Sequence, residues 1–295
     1  MPISRRVLLA GLLSASGAYF LPRHSVRAAS GLTTGIVVPL QWSLFAGAPM
    51  LIQALTADAV DVGVIGDAPL VFAQAGASPI KAVAAIQTDG TMTAVIVRKD
   101  SPIRSVKDLK GRSVATLKSQ TGHYLMLAAL REAGLRDDDV RFVFIPPAAA
   151  RMALQTGSVD AWATWGPYIA EAKINDGARE IVNGGHLMSG LSYVVATTAE
   201  LRTRRDDIIA YTRLLRDGHQ WMLTHEEDYA TAWGKETGLS LPVAREVVRT
   251  MKATVTPIDP AIIQKQQFVS SFMTETKMIP ATLDAGNVVD SSVTF

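Results

Sequence analysis

Two stretches about a hundred residues apart are built alike, a separation far too long for the roughly 20–50-residue period of a solenoid. "ALTADAVDVGVIGDAP" (54–69) runs from a helix end through Val60-Asp61 into an apolar strand and stops at Pro69. "ALQTGSVDAWATWGP" (153–167) follows the same plan, with Val159-Asp160 and Pro167 in the corresponding places. Either proline can open the next helix at its first position, where a missing N–H costs nothing and φ is already helical. A strand-to-helix unit used twice points to two lobes of similar build. Chance likeness between two common βα pieces is the competing reading.

The rest of the chain alternates in the same way, the pattern of an α/β fold with largely parallel sheets. Strands are expected over 35–44, 60–66, 80–86, 92–98, 113–117, 140–145, 159–164 and 192–197. Helices are expected over 48–56, 69–75, 105–110, 121–133, 148–156 and 167–174. Ser105 has the chemistry of an N-cap, and Gly111 and Gly134 stand where helices end. From Arg205 four helical segments follow with no strand between them. The chain therefore divides into 30–97 (first lobe), 98–190 (second lobe) and 191–295 (return to the first lobe). "AVIVRKDSP" and "LSYVVATTAEL" are the expected crossovers, and such a two-segment hinge permits closure over a ligand.

Residues 1–29 are a different material. A basic start, an apolar stretch from Val7 to Leu21 and small residues at Val26 and Ala28 make a secretory leader, cleaved near Ala28-Ala29. Ser4-Arg5-Arg6-Val7-Leu8-Leu9 also has the form of a twin-arginine signal, the alternative being an ordinary leader with two basic residues. Its removal takes four of the 29 basic residues, leaving 25 against 27 acidic ones and a balance of −2. That excludes nucleic-acid binding by bulk charge. No cysteine occurs. The exported protein thus has no disulfide, no lipidated cysteine and no thiol nucleophile, and is expected free in the periplasm or secreted.

In open α/β sheets ligands bind beyond the carboxyl ends of strands, where helix N-termini direct unpaired N–H groups. Three places qualify. Gly66, Asp67 and Ala68 end one strand; "LKSQTGHY" (117–124) follows another and gathers the polar donors Lys118, Ser119, Gln120, Thr121 and His123; "GSVDAWATWGPY" (157–168) carries Asp160, Trp162 and Trp165. The turn at 117–124 is either an anion site or a capped helix with a solvated lysine. The two tryptophans either plug a core or wall a pocket. His186, His219 and His225 read as surface or structural residues, and no spacing suits a metal, a nucleotide or a catalytic triad. Neither metal nor cofactor is expected.

The pieces "ALTADAVDVGVIGDAPLVFAQAGA", "VRKDSPIRSVKDLKGRSVATLKSQTGHYLMLAALREAGL" and "IPPAAARMALQTGSVDAWATWGPYIA" resemble the periplasmic solute-binding proteins of ABC importers for aliphatic sulfonates, within the nitrate/sulfonate/taurine group. The resemblance runs from about Gly35 to Met278. It implies a two-lobed, type II periplasmic binding protein-like fold, two doubly wound sheets with a ligand cleft between them. It also implies a monomer that captures an alkanesulfonate and docks on permease subunits at the inner membrane. Carried over by residue, it places Gly66, Asp67 and Ala68 in the cleft from the first lobe and Lys118, Ser119 and His123 from the second. Asp160, Trp162 and Trp165 form the far wall, with the tryptophans over the organic tail.

There are departures. "LQWSLFAGAP" follows the expected cleavage site within about a dozen residues, so the family's opening strand and helix are expected to be missing. Ala149 stands where the family often has an acidic cap. A receptor for taurine, nitrate or another small anion and a truncated, non-binding remnant are the alternatives. Desulfinase-like enzymes and thiamine-pyrimidine synthases resemble the same architecture, but use cysteines that this chain lacks.

Overall fold

Proline and glycine set where the helices begin and end in the computed structural model, which describes residues 45–295. Pro147, Pro167 and Pro260 open helices at or beside their first residue, and Gly157, Gly177 and Gly238 follow helix ends with φ near 70°. The expected leader over 1–29 and the expected strand over 35–44 lie outside the described residues.

The first sheet contains β1 (Val62–Gly66), β2 (Ile80–Gln87), β8 (Leu191–Thr197) and β9 (Thr254–Thr256), in the order β1-β8-β2-β9. Helices α1 (Ala48–Thr56) and α2 (Asp67–Ala75) surround β1 in sequence, and α10 (Pro260–Glu275) joins them on the same face. There Leu51, Leu55, Leu70 and Ile262 pack on Ile65, Ala85, Tyr193 and Val195. The alternate residues Val62, Val64, Ile86 and Val194 face the other way, onto α7 (Arg205–Met222), α8 (Glu226–Thr237) and α9 (Leu241–Thr250). The period-two apolar pattern has thus become a sheet covered on both faces. Each fully buried aliphatic side chain contributes about 1.5–3 kcal/mol, the term that must hold a cysteine-free fold.

The second sheet contains β3 (Thr93–Val97), β4 (Ser113–Thr116), β5 (Arg141–Phe144), β6 (Ala161–Trp165) and β7 (Arg179–Asn183), in the order β5-β4-β6-β3-β7. Helix α3 (Thr121–Glu132) covers one face; α4 (Pro147–Thr156) and α5 (Pro167–Asp176) cover the other.

Three expectations are corrected here. The sheets are not largely parallel: β4 pairs parallel with β5 and β6, while every other paired strand, including all those of the first sheet, runs antiparallel. The cause is the crossing itself. The incoming strand β3 and the returning strand β8 each insert beside strands that βα units laid down in the opposite direction. The first crossing also comes earlier than Val97. Strand β3 pairs Thr93 with Trp165 and Val97 with Ala161, so the chain has already left the first sheet after Gln87. Finally, the helical tail contains β9, three residues that extend the first sheet at β2, and a further short helix α6 (Thr198–Thr203) precedes α7.

The two crossovers lie against each other. Thr88 N–H donates to Gly190 O at 2.8 Å and Gly184 N–H to Thr93 O at 2.8 Å. Gly190 has φ 69°, and a Cβ on it would stand 2.3 Å from Thr88 O. Only glycine fits a left-handed turn pressed so closely on a neighbouring backbone.

The lobes also meet on both flanks. Tyr124, Leu127 and Ala128 of α3 pack on Ala68 and Val71 of α2 and on Val269, Phe272 and Met273 of α10. Arg131 pairs with Glu275 beside them at 2.5 Å. On the opposite flank Lys173 of α5 reaches Glu246 of α9 at 3.0 Å.

Candidate functional site: an interlobe cleft

Between these flanks lies an apolar cavity of about 140 Å³ with residues of both lobes in its wall. Four helices start at it. Their N-cap residues Gly47 (α1), Gly66 (α2), Gln120 (α3) and Gly166 (α5) all line the cavity, and none makes a side-chain capping bond. Helix starts carry unsatisfied N–H groups and a partial positive charge of roughly half a unit each. Two of these starts come from each lobe, and they are in close register. Gln120 Oε1 accepts Ala48 N–H at 3.3 Å, and a Cβ on Gly66 would lie 2.6 Å from Thr121 Oγ1.

No lysine or arginine lines the cavity among the described residues. Polar groups come from Thr88, Thr93, Gln120, Thr121 and Ser192, and apolar cover from Met92, Met188, Met251, Trp165 and Tyr168. Trp165 meets Tyr168 edge to face at 5.8 Å, which fixes both rings. His219 of α7 is buried in the same wall; its Nδ1 bonds Leu215 O at 2.9 Å. Burial lowers its pKa to about 4, so the ring is neutral at pH 7.

Asp67 is the one carboxyl group in the lining among the described residues. It is fully buried, accepts Ser189 Oγ–H at 2.5 Å and Ala68 N–H at 2.7 Å, and its own carbonyl takes Gln266 Nε2–H at 2.9 Å. Desolvation pushes its pKa up to about 6, against the lowering effect of those bonds.

Of the residues expected to form the site, Gly66, Asp67 and Trp165 line the cleft. Ala68 is fully buried behind it, in the apolar contact between the lobes. Lys118, Ser119 and His123 face a separate notch on the outer flank, with Phe72, Phe142 and Lys277. Ser119 takes a left-handed turn (φ 63°) just before α3. The His123 ring stands edge-on to Phe142 and Phe144, and Lys118 Nζ lies 5.7 Å from the Phe144 ring centre. The cleft instead receives the next two residues, Gln120 and Thr121.

Asp160 sits at the opposite end of β6 from Trp165. It accepts Ser113 N–H and Oγ–H at 2.8 and 2.7 Å, bracing β4 against β6. Partial burial pushes its carboxyl up, but the Ser113 bonds and the charges of Arg112 and Arg141 outweigh that and leave it below its ordinary value. The expectation for Trp162 is corrected. At 1% exposure it belongs to the core under α4 and α5, with Ala150, Leu154 and Ile169. The cause is strand geometry: residues three apart point to opposite faces, so one tryptophan enters the core and the other closes the cleft. Gln120 and Thr121 were recognised as donors of their turn but not counted among the ligand residues, and Tyr168, Met188 and His219 were missed. A helix start was the available signal for the first two, and the remaining three are joined to the site only by the fold.

The chain is similar to several known proteins. A curated relative from Escherichia coli (strain K12), named for the binding of aliphatic sulfonates, is 30% identical over 246 residues, 83% of this chain and 77% of its own length. The alkanesulfonate-binding protein SsuA of Xanthomonas axonopodis pv. citri, solved with MOPS bound, superposes with a TM-score of 0.80 at 25% identity, covering 84% of this chain and 86% of that one. The periplasmic aliphatic sulphonate binding protein SsuA from Escherichia coli gives 0.73 at 28% identity, over 84% and 81% of the two chains. The family model described as "NMT1/THI5 like" matches residues 45–228. That match takes in the cleft's helix starts in both lobes, and the chain belongs to the NMT1/THI5-like family.

Proposed function

We propose that this chain is the extracytoplasmic ligand-binding component of an ABC importer. It captures an aliphatic sulfonate between its lobes and delivers it to permease subunits at the inner membrane. It works as a monomer in the periplasm after export and removal of residues 1–29, by the twin-arginine route or the general one. The observation that carries this reading is the convergence of four helix starts whose N-cap residues make no side-chain capping bond, two from each lobe, on a cleft that has no cationic side chain among the described residues. Such a cradle suits a singly charged, weakly basic oxyanion, whose three oxygens can take several N–H and O–H donors at once. The methionines, Trp165 and Tyr168 cover an organic tail, and thioethers adapt readily to differing tail shapes. The three relatives, all named as sulfonate-binding proteins, support the same ligand class.

In this reading Gly66, Asp67 and Trp165 face the ligand together with Gln120 and Thr121. Ala68, Asp160 and Trp162 hold the walls in place, and Lys118, Ser119 and His123 serve the outer flank. The test is thermal melting of the mature chain with alkanesulfonates of increasing length, taurine, nitrate and sulfate. A ligand at a hundred times its Kd adds about 2.7 kcal/mol to the folded state, enough to move the midpoint by several degrees. A rise with at least one alkanesulfonate is expected. A cooperative melt that shifts only with nitrate or taurine moves the assignment to that anion, and one that no anion shifts leaves a folded, non-binding protein.

A further inference from the structure

Among the described residues, the cleft holds one buried carboxyl group and no cationic side chain to neutralise it. Both oxygens of Asp67 are met only by neutral donors, Ser189 Oγ–H and Ala68 N–H. Tyr124 of α3 and Tyr193 of β8 are exposed to its charge, and their buried hydroxyls have no hydrogen-bond partner. Gln266 approaches from α10 on the backbone side. The other ionisable groups in the lining are His219, neutral near pH 7, and Tyr168. A sulfonate entering this enclosure brings a second negative charge to a site whose positive potential, among the described residues, comes from helix starts. Like charges sharing one desolvated site do not both persist, and the group that can take a proton does so.

We infer that Asp67 sets the charge balance of the cleft: it takes up one proton as a sulfonate monoanion binds. The inference rests on the sulfonate reading above. A sulfonate stays ionised throughout the accessible pH range, so the proton goes from solvent to a carboxylate oxygen of Asp67 and no other bond forms or breaks. The new O–H has an acceptor already in place, the Ser189 hydroxyl 2.5 Å from the carboxyl group. Desolvation has already brought the carboxyl to about 6, which places the uptake near neutral pH.

The experiment is calorimetric titration of the mature chain with butanesulfonate in phosphate, imidazole and Tris, avoiding sulfonate buffers, at pH 6 to 8. The apparent enthalpy at pH 7 is expected to vary with buffer ionisation enthalpy at a slope near one proton. The Kd is expected to weaken about tenfold from pH 7 to pH 8, as one-proton linkage requires. Asp67→Asn should abolish the slope and the pH dependence, and bind more tightly than the parent at pH 8. Ser189→Ala removes a donor that favours the charged carboxylate, so its bend in the Kd profile should move to higher pH. That second variant decides the matter if Asp67→Asn does not fold, and an unmoved bend overturns the inference. Sulfonate binding without proton uptake overturns it and leaves the sulfonate reading standing. Uptake that survives in Asp67→Asn belongs to His219 and also overturns it. No sulfonate binding at any pH overturns both.

Discussion

The buried Asp67 carboxyl has a consequence for stability that runs opposite to that of the two buried histidines. Its pKa is raised from 3.8 to about 6, so the folded chain holds the proton more tightly than the unfolded one. Above pH 6 the charged form costs the fold up to about 3 kcal/mol, and that cost is relieved as pH falls from about 6 towards 3.8. His219 and His123 are lowered from 6.5 to about 4, both mainly by burial. Their contribution is complete above 6.5 and is lost as pH falls towards about 4. Asp67→Asn is therefore expected to be more stable than the parent by about 1–3 kcal/mol at pH 7.5, with the gain fading as the pH approaches 4. Urea midpoints across that range check it; a difference independent of pH would sink the argument. The two tryptophans separate in the same way. Trp162→Ala empties a core position and should cost about 3–5 kcal/mol of stability. Trp165→Ala should leave the melt nearly unchanged and weaken long-tailed sulfonates more than methanesulfonate; equal losses along that series would count against its cover of the tail.

Among the elements, the helix starts matter most to the site. Gly66 has an ordinary φ of −73°, so alanine is tolerable to its own backbone. The added Cβ would nevertheless press on Thr121 Oγ1 from the other lobe, at 2.6 Å. Gly66→Ala is expected to weaken ligand binding at least tenfold while lowering stability by less than about 1 kcal/mol, since the clash is relieved by parting the lobes. Calorimetry and a melt on the same sample distinguish this from misfolding, and unchanged affinity would remove Gly66 from the closed site. Most of these starts were legible in the sequence, because Pro49, Pro69 and Pro167 and the strands before α2 and α5 announce them. What was not legible is which side of a start faces the ligand. Between Lys118 and Thr121 that depends on the left-handed turn at Ser119, and a non-glycine residue gives no local sign of it. Strand β3 was recognisable as a strand, but "TAVIV" is apolar on both faces and names no sheet. Strand β9 is three residues long, below the length at which a period can be read.

At the scale of the molecule, the lobes are joined by two crossovers pressed together at glycine and clasped on both flanks. Gly190→Ala forces a side chain into a left-handed turn against Thr88 O. It is expected to cost about 1–3 kcal/mol and to enlarge the radius of gyration as the crossovers separate. Small-angle scattering would read the change, and an unaltered radius would show that the flanks alone set the lobe arrangement. The divided origin of the cradle bears on how a cargo is given up. Because α1 and α2 belong to one lobe and α3 and α5 to the other, the bound anion faces a combined field of roughly two positive half-charge pairs that exists only while the halves are together. Drawing them apart leaves roughly one such pair on either side. Unloading then needs no competing ion and no chemical change in the cargo. A partner that grips each half and pulls has, by that movement alone, dismantled the receptacle.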